Sequence, residues 1–197
     1  MKNYTIIDLE WTSWRNNYSG KFKEIEKRKK WQKKEIIQIG AIKFDNNFKI
    51  KNLLNIIVKP KFNKKLSNHI INLTSLTDEM INKEGLSFLD AYKKLIKFSK
   101  KSFVFSNGYD GKVLKINLNY NRSRLCAIRI LDIKKILKDE YLIPKKYLSS
   151  PILKTFFGYK FYPNKAHNAL EDCKSVLKAL KKMKFDLSRI EQKFYFK

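Results

Sequence analysis

The sequence predicts an α/β protein: a mixed five-stranded sheet, made of a three-strand antiparallel meander plus two later strands, flanked by helices. Three observations predict it. Apolar, β-branched runs separated by turn chemistry fill much of the first 58 residues. Beyond them, short apolar strands alternate with segments of helical period, which favours a mixed sheet over a sandwich or a bundle. The chain of 197 residues, 43% hydrophobic, is long enough to bury one core.

The first strand is Tyr4–Glu10. Successive side chains of a strand point to opposite faces, so Asp8 and Glu10 project together while Leu9 packs on the other side. Residues 11–34 form a long insertion that holds all three tryptophans, Trp11, Trp14 and Trp31. From Arg15 to Lys34 it carries nine Lys/Arg and two Glu. Aromatic rings interleaved with cations suit single-stranded nucleic acid, so Trp14, Arg15, Lys27, Arg28, Lys29, Lys30 and Trp31 form a candidate nucleic-acid surface. The alternative is a short helix over Phe22–Lys34 with a solvated basic face.

Glu35–Phe44 reads as a central strand. Asp45-Asn46-Asn47 supplies turn chemistry, and Phe48–Val58 returns as a third strand ending before Pro60. Residues 61–76 look irregular and basic. Thr77–Lys83 suits a short helix. Ser87-Phe88-Leu89-Asp90 fits a capping box that opens a helix with Leu89, Tyr92, Leu95 and Ile96 on one face. Phe103–Phe105 is a short strand, Gly111–Asn119 a helix, and Leu125–Leu131 a fifth strand with Asp132 capping Ile133–Lys138. Ser150-Pro151 and Gly158 mark a helix start and stop. The last amphipathic helix, Ala169–Met183, repeats apolar residues every three or four positions. The tail from Lys184 to Lys197 is partly apolar, and its role is open.

Charge is the outlying property: 44 Lys+Arg against 18 Asp+Glu give +26, which favours a polyanionic partner, nucleic acid first. Cys126 and Cys173 are too few for a disulfide framework. No apolar run suits a membrane span or a signal peptide, so a cytoplasmic protein with no membrane partner is expected.

Against that cationic background a few acids stand out. Asp110 follows the fourth strand at a strand-to-helix turn, where it could equally be an N-cap. Asp172 lies in the first turn of the final helix, after His167-Asn168-Ala169-Leu170-Glu171, where the helix dipole alone would favour an acid. Of the two histidines, His69 lies in an irregular basic stretch and reads as structural or surface. Paired carboxylates repel unless a cation separates them, and hard divalent ions take oxygen ligands.

D-x-E on the first strand, an Asp after the fourth, and H-x-x-x-x-D opening the last helix make the order seen in DEDDh 3′-to-5′ exonucleases. The chain resembles that family from Thr5 to about Leu180. Glu35–Ala41 looks like the family's second strand, and Leu73-Thr74-Ser75-Leu76-Thr77 resembles its LTGIT segment, with Ser75 where glycine is usual. Ser106–Asp110 is closest to the Eri-type exoribonucleases, and the whole is also similar to replicase proofreading subunits. The resemblance implies an RNase H-like fold, an exonuclease domain over residues 1–183, and a two-metal mechanism. Asp8, Glu10, Asp110 and Asp172 would hold two Mg²⁺ or Mn²⁺ ions, with Asp8 bridging and His167 as general base. Leu9, Trp11, Thr12, Leu73, Thr74, Leu76 and Asn107 would seat the 3′-terminal nucleotide. The expected activity is release of nucleoside 5′-monophosphates from single-stranded nucleic acid, RNA slightly ahead of DNA. The alternatives are a non-catalytic nucleic-acid-binding protein on the same fold, or a ribosome-associated basic protein.

Overall fold

A computed structural model describes residues 2–14 and 32–195. The insertion residues Arg15, Lys27, Arg28, Lys29, Lys30 and Trp31, and most of the candidate Phe22–Lys34 helix, lie outside the described residues. Lys33 and Lys34 are not helical.

The meander forms as the sequence predicts. Strand β1 (Asn3–Trp11) pairs antiparallel with β2 (Ile36–Asp45), which pairs antiparallel with β3 (Ile50–Lys59). Two short helices follow, α1 (Asn68–Thr74) and α2 (Asp78–Glu84), then a two-residue strand β4 (Leu86–Ser87) and α3 (Phe88–Ser99). Next come β5 (Phe103–Ser106), α4 (Asp110–Tyr120), β6 (Leu131–Asp132) and α5 (Lys134–Asp139). After short 3₁₀ turns the chain ends with α6 (Ala169–Lys182) and α7 (Ser188–Tyr195). The sheet order is β4-β3-β2-β1-β5-β6, six strands where five are expected. The extra strand is β4, parallel to the end of β3. Strands β1, β5 and β6 run parallel, so their carboxyl ends open on the same edge.

Period-two alternation sends β1 side chains to two cores. Tyr4 and Ile6 join Phe44, Phe105 and the apolar stripe of α6, while Ile7 and Leu9 pack with α3 and α4. Ser87 caps α3 as expected, accepting from Asp90 N at 3.2 Å. Its buried stripe is Phe88, Ala91, Tyr92 and Leu95, with Leu89 and Ile96 at the margin.

Four expectations need correction. Residues 61–76 are not wholly irregular: Ser67 caps α1, and Ile70 anchors it in a third core with Leu66, Leu76 and Ile81. A seven-residue helix has too little intrinsic stability to announce itself, and packing supplies it. Leu125–Leu131 is not a strand, because β5 is only four residues long and offers pairing to Leu131–Asp132 alone. The preceding residues instead cross α3, held by the Tyr92 hydroxyl, which donates to Cys126 O at 2.7 Å and accepts from Ile128 N at 2.8 Å. The segment opened by Ser150-Pro151 forms a 3₁₀ helix at Leu153–Phe157, stopped by Gly158 in the left-handed region (φ 82°). Asp132 Oδ1 accepts from Lys134 N as a cap would, but the helix begins one residue after Ile133.

The tail packs on the body. Phe185, Leu187 and Ile190 are buried in the α6 core, the Tyr4 hydroxyl bonds Glu191, and Arg129 donates to Phe194 O at 2.8 Å. Among the described residues no helix is long and apolar enough to cross a membrane.

Candidate active site

Strand period and sheet topology together bring the acids to one place. Asp8 and Glu10 leave β1 on the face that α6 covers, and α6 presents Asp172 toward them from its first turn. Parallel β5 delivers Asp110 to the same sheet edge. Asp8, Glu10, Asp110, His167 and Asp172 all line one cavity of about 310 Å³. One ligand atom each of Glu10, His167 and Asp172 lies within 4.8 Å of the others.

Asp8, Asp110 and Asp172 are each held by a protein donor. Asp110 Oδ1 accepts from Leu9 N at 3.1 Å, so its carboxylate reaches across to β1 and does not cap its own helix. The Ser150 hydroxyl bonds Asp8, and the backbone N–H of His167 bonds the Asp172 carboxylate. His167 takes a left-handed backbone (φ 57°), which a non-glycine residue adopts only when its surroundings enforce it.

The electrostatics are those of a site made for cations. Burial, then the neighbouring acids, raises Glu10 to about 8. Burial chiefly raises Asp172 to about 7 and Asp110 to about 6. Asp8 keeps some contact with the cavity, yet enclosure by protein and then Asp110 push it well above the usual carboxylate range. His167 moves the other way, lowered by burial and then by His69. His69 is therefore close enough to be felt at the site, from a half-buried position on α1. Four enclosed carboxylates whose charged forms are disfavoured for want of a cation fit the oxygen-ligand requirement of a hard divalent metal.

Among the residues expected to seat a nucleotide, Leu9, Trp11, Leu73 and Asn107 line the cavity. Thr12, Thr74 and Leu76 do not. Thr12 Oγ1 accepts from Glu35 N at 3.0 Å and donates to Lys33 O at 2.7 Å, closing the base of the insertion. Thr74 donates to Ile70 O at 2.8 Å, and Leu76 is buried in the third core. Trp14, from the candidate nucleic-acid surface, is partly buried. Ser75 takes the left-handed conformation (φ 61°) that closes α1, the setting in which glycine is the easier residue.

Other participants carry no motif. Lys134 is the one Lys or Arg among the described lining residues, beside Ser13, Ile70, Tyr109 and Pro151. Gln38 and Gly40 act from beneath. Gln38 Oε1 accepts from Ala169 N at 3.1 Å, satisfying an orphan donor at the start of α6. A Cβ on Gly40 would stand 2.3 Å from the Ala169 carbonyl carbon, so only glycine lets α6 approach so closely. The run of apolar β-branched residues around Gly40 announces a buried strand, and an isolated glycine within one is the available signal of close approach.

A profile of the RNase_T family, described as an exonuclease, matches residues 5–180. The chain belongs to the RNase_T exonuclease family. The order Asp8, Glu10, Asp110, His167, Asp172 is the one on which the sequence resembles the DEDDh exonucleases. Among solved structures, the nuclease domain of 3′hExo, a DEDDh family member bound to rAMP, aligns with TM-score 0.75 and 22% identity, covering 92% of this chain and 91% of that one. Cell-death related nuclease 4 (CRN-4) aligns with TM-score 0.71 and 19% identity over 92% of this chain and 63% of its own. Escherichia coli exonuclease I in complex with a dT13 oligonucleotide aligns with TM-score 0.70 and 13% identity over 99% of this chain, which spans 44% of that larger protein. At these identities the likeness is one of fold, the RNase H-like α/β sheet. No curated protein matches the sequence.

Proposed function

We propose that this RNase_T family nuclease is a metal-dependent exonuclease that works from the 3′ end of single-stranded nucleic acid and releases nucleoside 5′-monophosphates. The observation that carries the proposal is the meeting of all five motif residues on one cavity. A binding-only protein has no need to enclose four carboxylates at such electrostatic cost. Asp8, Glu10, Asp110 and Asp172 would hold two divalent ions, Mg²⁺ or Mn²⁺. When bound, these supply the positive charge that neutralises the scissile phosphate and the leaving oxygen.

The chain's own groups do the rest. His167, with its pKa lowered by burial, is largely neutral at pH 7 and can take the proton of the attacking water at a ring nitrogen. Its backbone N–H fixes the Asp172 carboxylate, and Leu9 N–H fixes Asp110. Leu9, Trp11, Leu73 and Asn107 supply the walls on which the terminal nucleotide rests. The exonuclease domain, expected to end at residue 183, would extend into the tail, because Phe185, Leu187 and Ile190 are buried in the α6 core.

RNA is favoured slightly over DNA. The neighbour sharing nine-tenths of both chains holds rAMP, and the Ser106–Asp110 motif is nearest to Eri-type exoribonucleases. Free cysteines, Cys126 exposed and Cys173 buried, accord with a cytoplasmic setting.

The test is a degradation ladder with 5′-labelled single-stranded RNA and DNA of matched sequence, in Mg²⁺, Mn²⁺ or EDTA, beside Asp8→Ala. A metal-dependent ladder shortening from the 3′ end and absent in the variant is expected. Intact oligonucleotide in every lane would overturn the proposal.

A further inference from the structure

The chain between Ser150 and His167 leaves the wall of the catalytic cavity and returns to it, since Ser150, Pro151 and His167 all line that cavity. It lies within a stretch, residues 141–170, that contains no acidic residue. Its outer surface holds large rings in water: Tyr162 is 45% exposed, and Tyr159 and Phe161 are each 39% exposed. None of these three makes a ring-to-ring contact among the described residues. Burying such rings is favourable, so their joint exposure on one loop that starts and ends at the cleft calls for an occupant.

Cations converge on the same place. The ammonium groups of Lys154, Lys160 and Lys165 stand 5.5, 5.6 and 5.8 Å from the Tyr162 ring centroid. None of the three forms an ion pair among the described residues. Three like charges around one ring repel one another. Polyanion binding would relieve that repulsion.

We propose that residues 154–165 form a docking track for single-stranded nucleic acid, receiving nucleotides upstream of the 3′ end. Bases stack on Tyr162 and Phe161, and the lysines turn to the phosphates. This is the arrangement of alternating aromatic and basic residues that suits a single strand without reading its sequence. The track rests on the exonuclease reading for its polarity, but its affinity for the strand does not depend on catalysis.

Equilibrium binding of a fluorescent single-stranded 12-nucleotide oligomer in EDTA, titrated with salt, tests the track with the full chain. For single strands the slope of log affinity against log salt changes by about 0.7 for each phosphate that is no longer neutralised. Lys154→Gln/Lys160→Gln/Lys165→Gln should lower the slope by about 2, and Tyr162→Ala should weaken binding about 5- to 100-fold. Lys94→Gln/Lys97→Gln/Lys100→Gln, on and just after the distant α3, removes equal charge and should leave the slope near that of the wild type. An unchanged slope in the first variant, or an equal fall in the control, would overturn the track. The degradation ladder is read separately. A lowered slope without any wild-type ladder would keep the track and remove the exonuclease reading, whereas a ladder with an unaltered slope would do the reverse.

Discussion

An isolated glutamate is ionised well below pH 7, yet Glu10 and Asp172, raised to about 8 and about 7, retain protons near neutrality in the metal-free protein. The folded state therefore binds these protons more tightly than the unfolded chain. Their contribution to stability is complete below about pH 4 and is lost as pH rises through about 6 for Asp110, 7 for Asp172 and 8 for Glu10. His167, lowered by burial, acts in the opposite sense and contributes only above its unfolded value of 6.5. In EDTA, Glu10→Gln should accordingly melt higher than wild type at about pH 8, and the gap should close toward about pH 5. A variant less stable than wild type at both values would refute the assigned cost of burying the Glu10 charge beside the other acids. Mg²⁺ or Mn²⁺ should raise the wild-type Tm at about pH 8 and leave Glu10→Gln less affected. For the proposed base, His167→Ala should lose about 10²- to 10⁴-fold in single-turnover rate while keeping oligonucleotide affinity. An unaltered rate would reassign the base.

Elements matter here through where they hold those residues. Helix α6 carries Asp172, and its seat on β2 depends on Gly40 and Gln38. Gly40→Ala would force the helix outward against the Ala169 backbone, which cannot give way as a side chain does. Overpacking of this kind costs about 1–3 kcal/mol, and a misplacement of about 1 Å at a catalytic group can cost about 10²-fold in rate. Thermal melting and the degradation ladder should both register the change; wild-type values in both would show that α6 has room. The period-two placement of Asp8 and Glu10 on one face of Tyr4–Glu10 and the 3.6-residue apolar stripe of α6 were legible because each follows from local geometry alone. The seven-residue α1 was not, since its stability comes from Ile70 packing in a core assembled from distant segments.

For the molecule as a whole, the tail is part of the fold. Phe185, Leu187 and Ile190 are buried under the same sheet face that carries the acids. Full burial of each is worth about 1.5–3 kcal/mol, against a typical net stability of about 5–15 kcal/mol. Truncation after Met183 should therefore lower Tm by many degrees or prevent soluble expression. A truncated chain with unchanged melting would mean that the tail merely rests on the surface. The sheet also explains why a protein with net charge +26 tolerates a cluster of acids. Parallel β1, β5 and β6 end at one edge, where protein donors hold Asp8, Asp110 and Asp172 and Lys134 lines the same cavity.

The sequence by itself determined the candidate constellation: which carboxylates share a strand face, which acid opens the last helix, and the order of the five motif residues. Those features follow from local periods and capping, which a single segment expresses alone. Tertiary structure alone decided that Leu125–Ile130 finds no strand partner, that the tail closes the core, and that Lys134 and His69 approach the site. It also decided that exposed rings and lysines lie on the loop between Pro151 and His167, both of which line the cavity. Each of these depends on contacts between segments far apart in the chain, and pairing, burial and electrostatic proximity exist only once the sheet has brought those segments together.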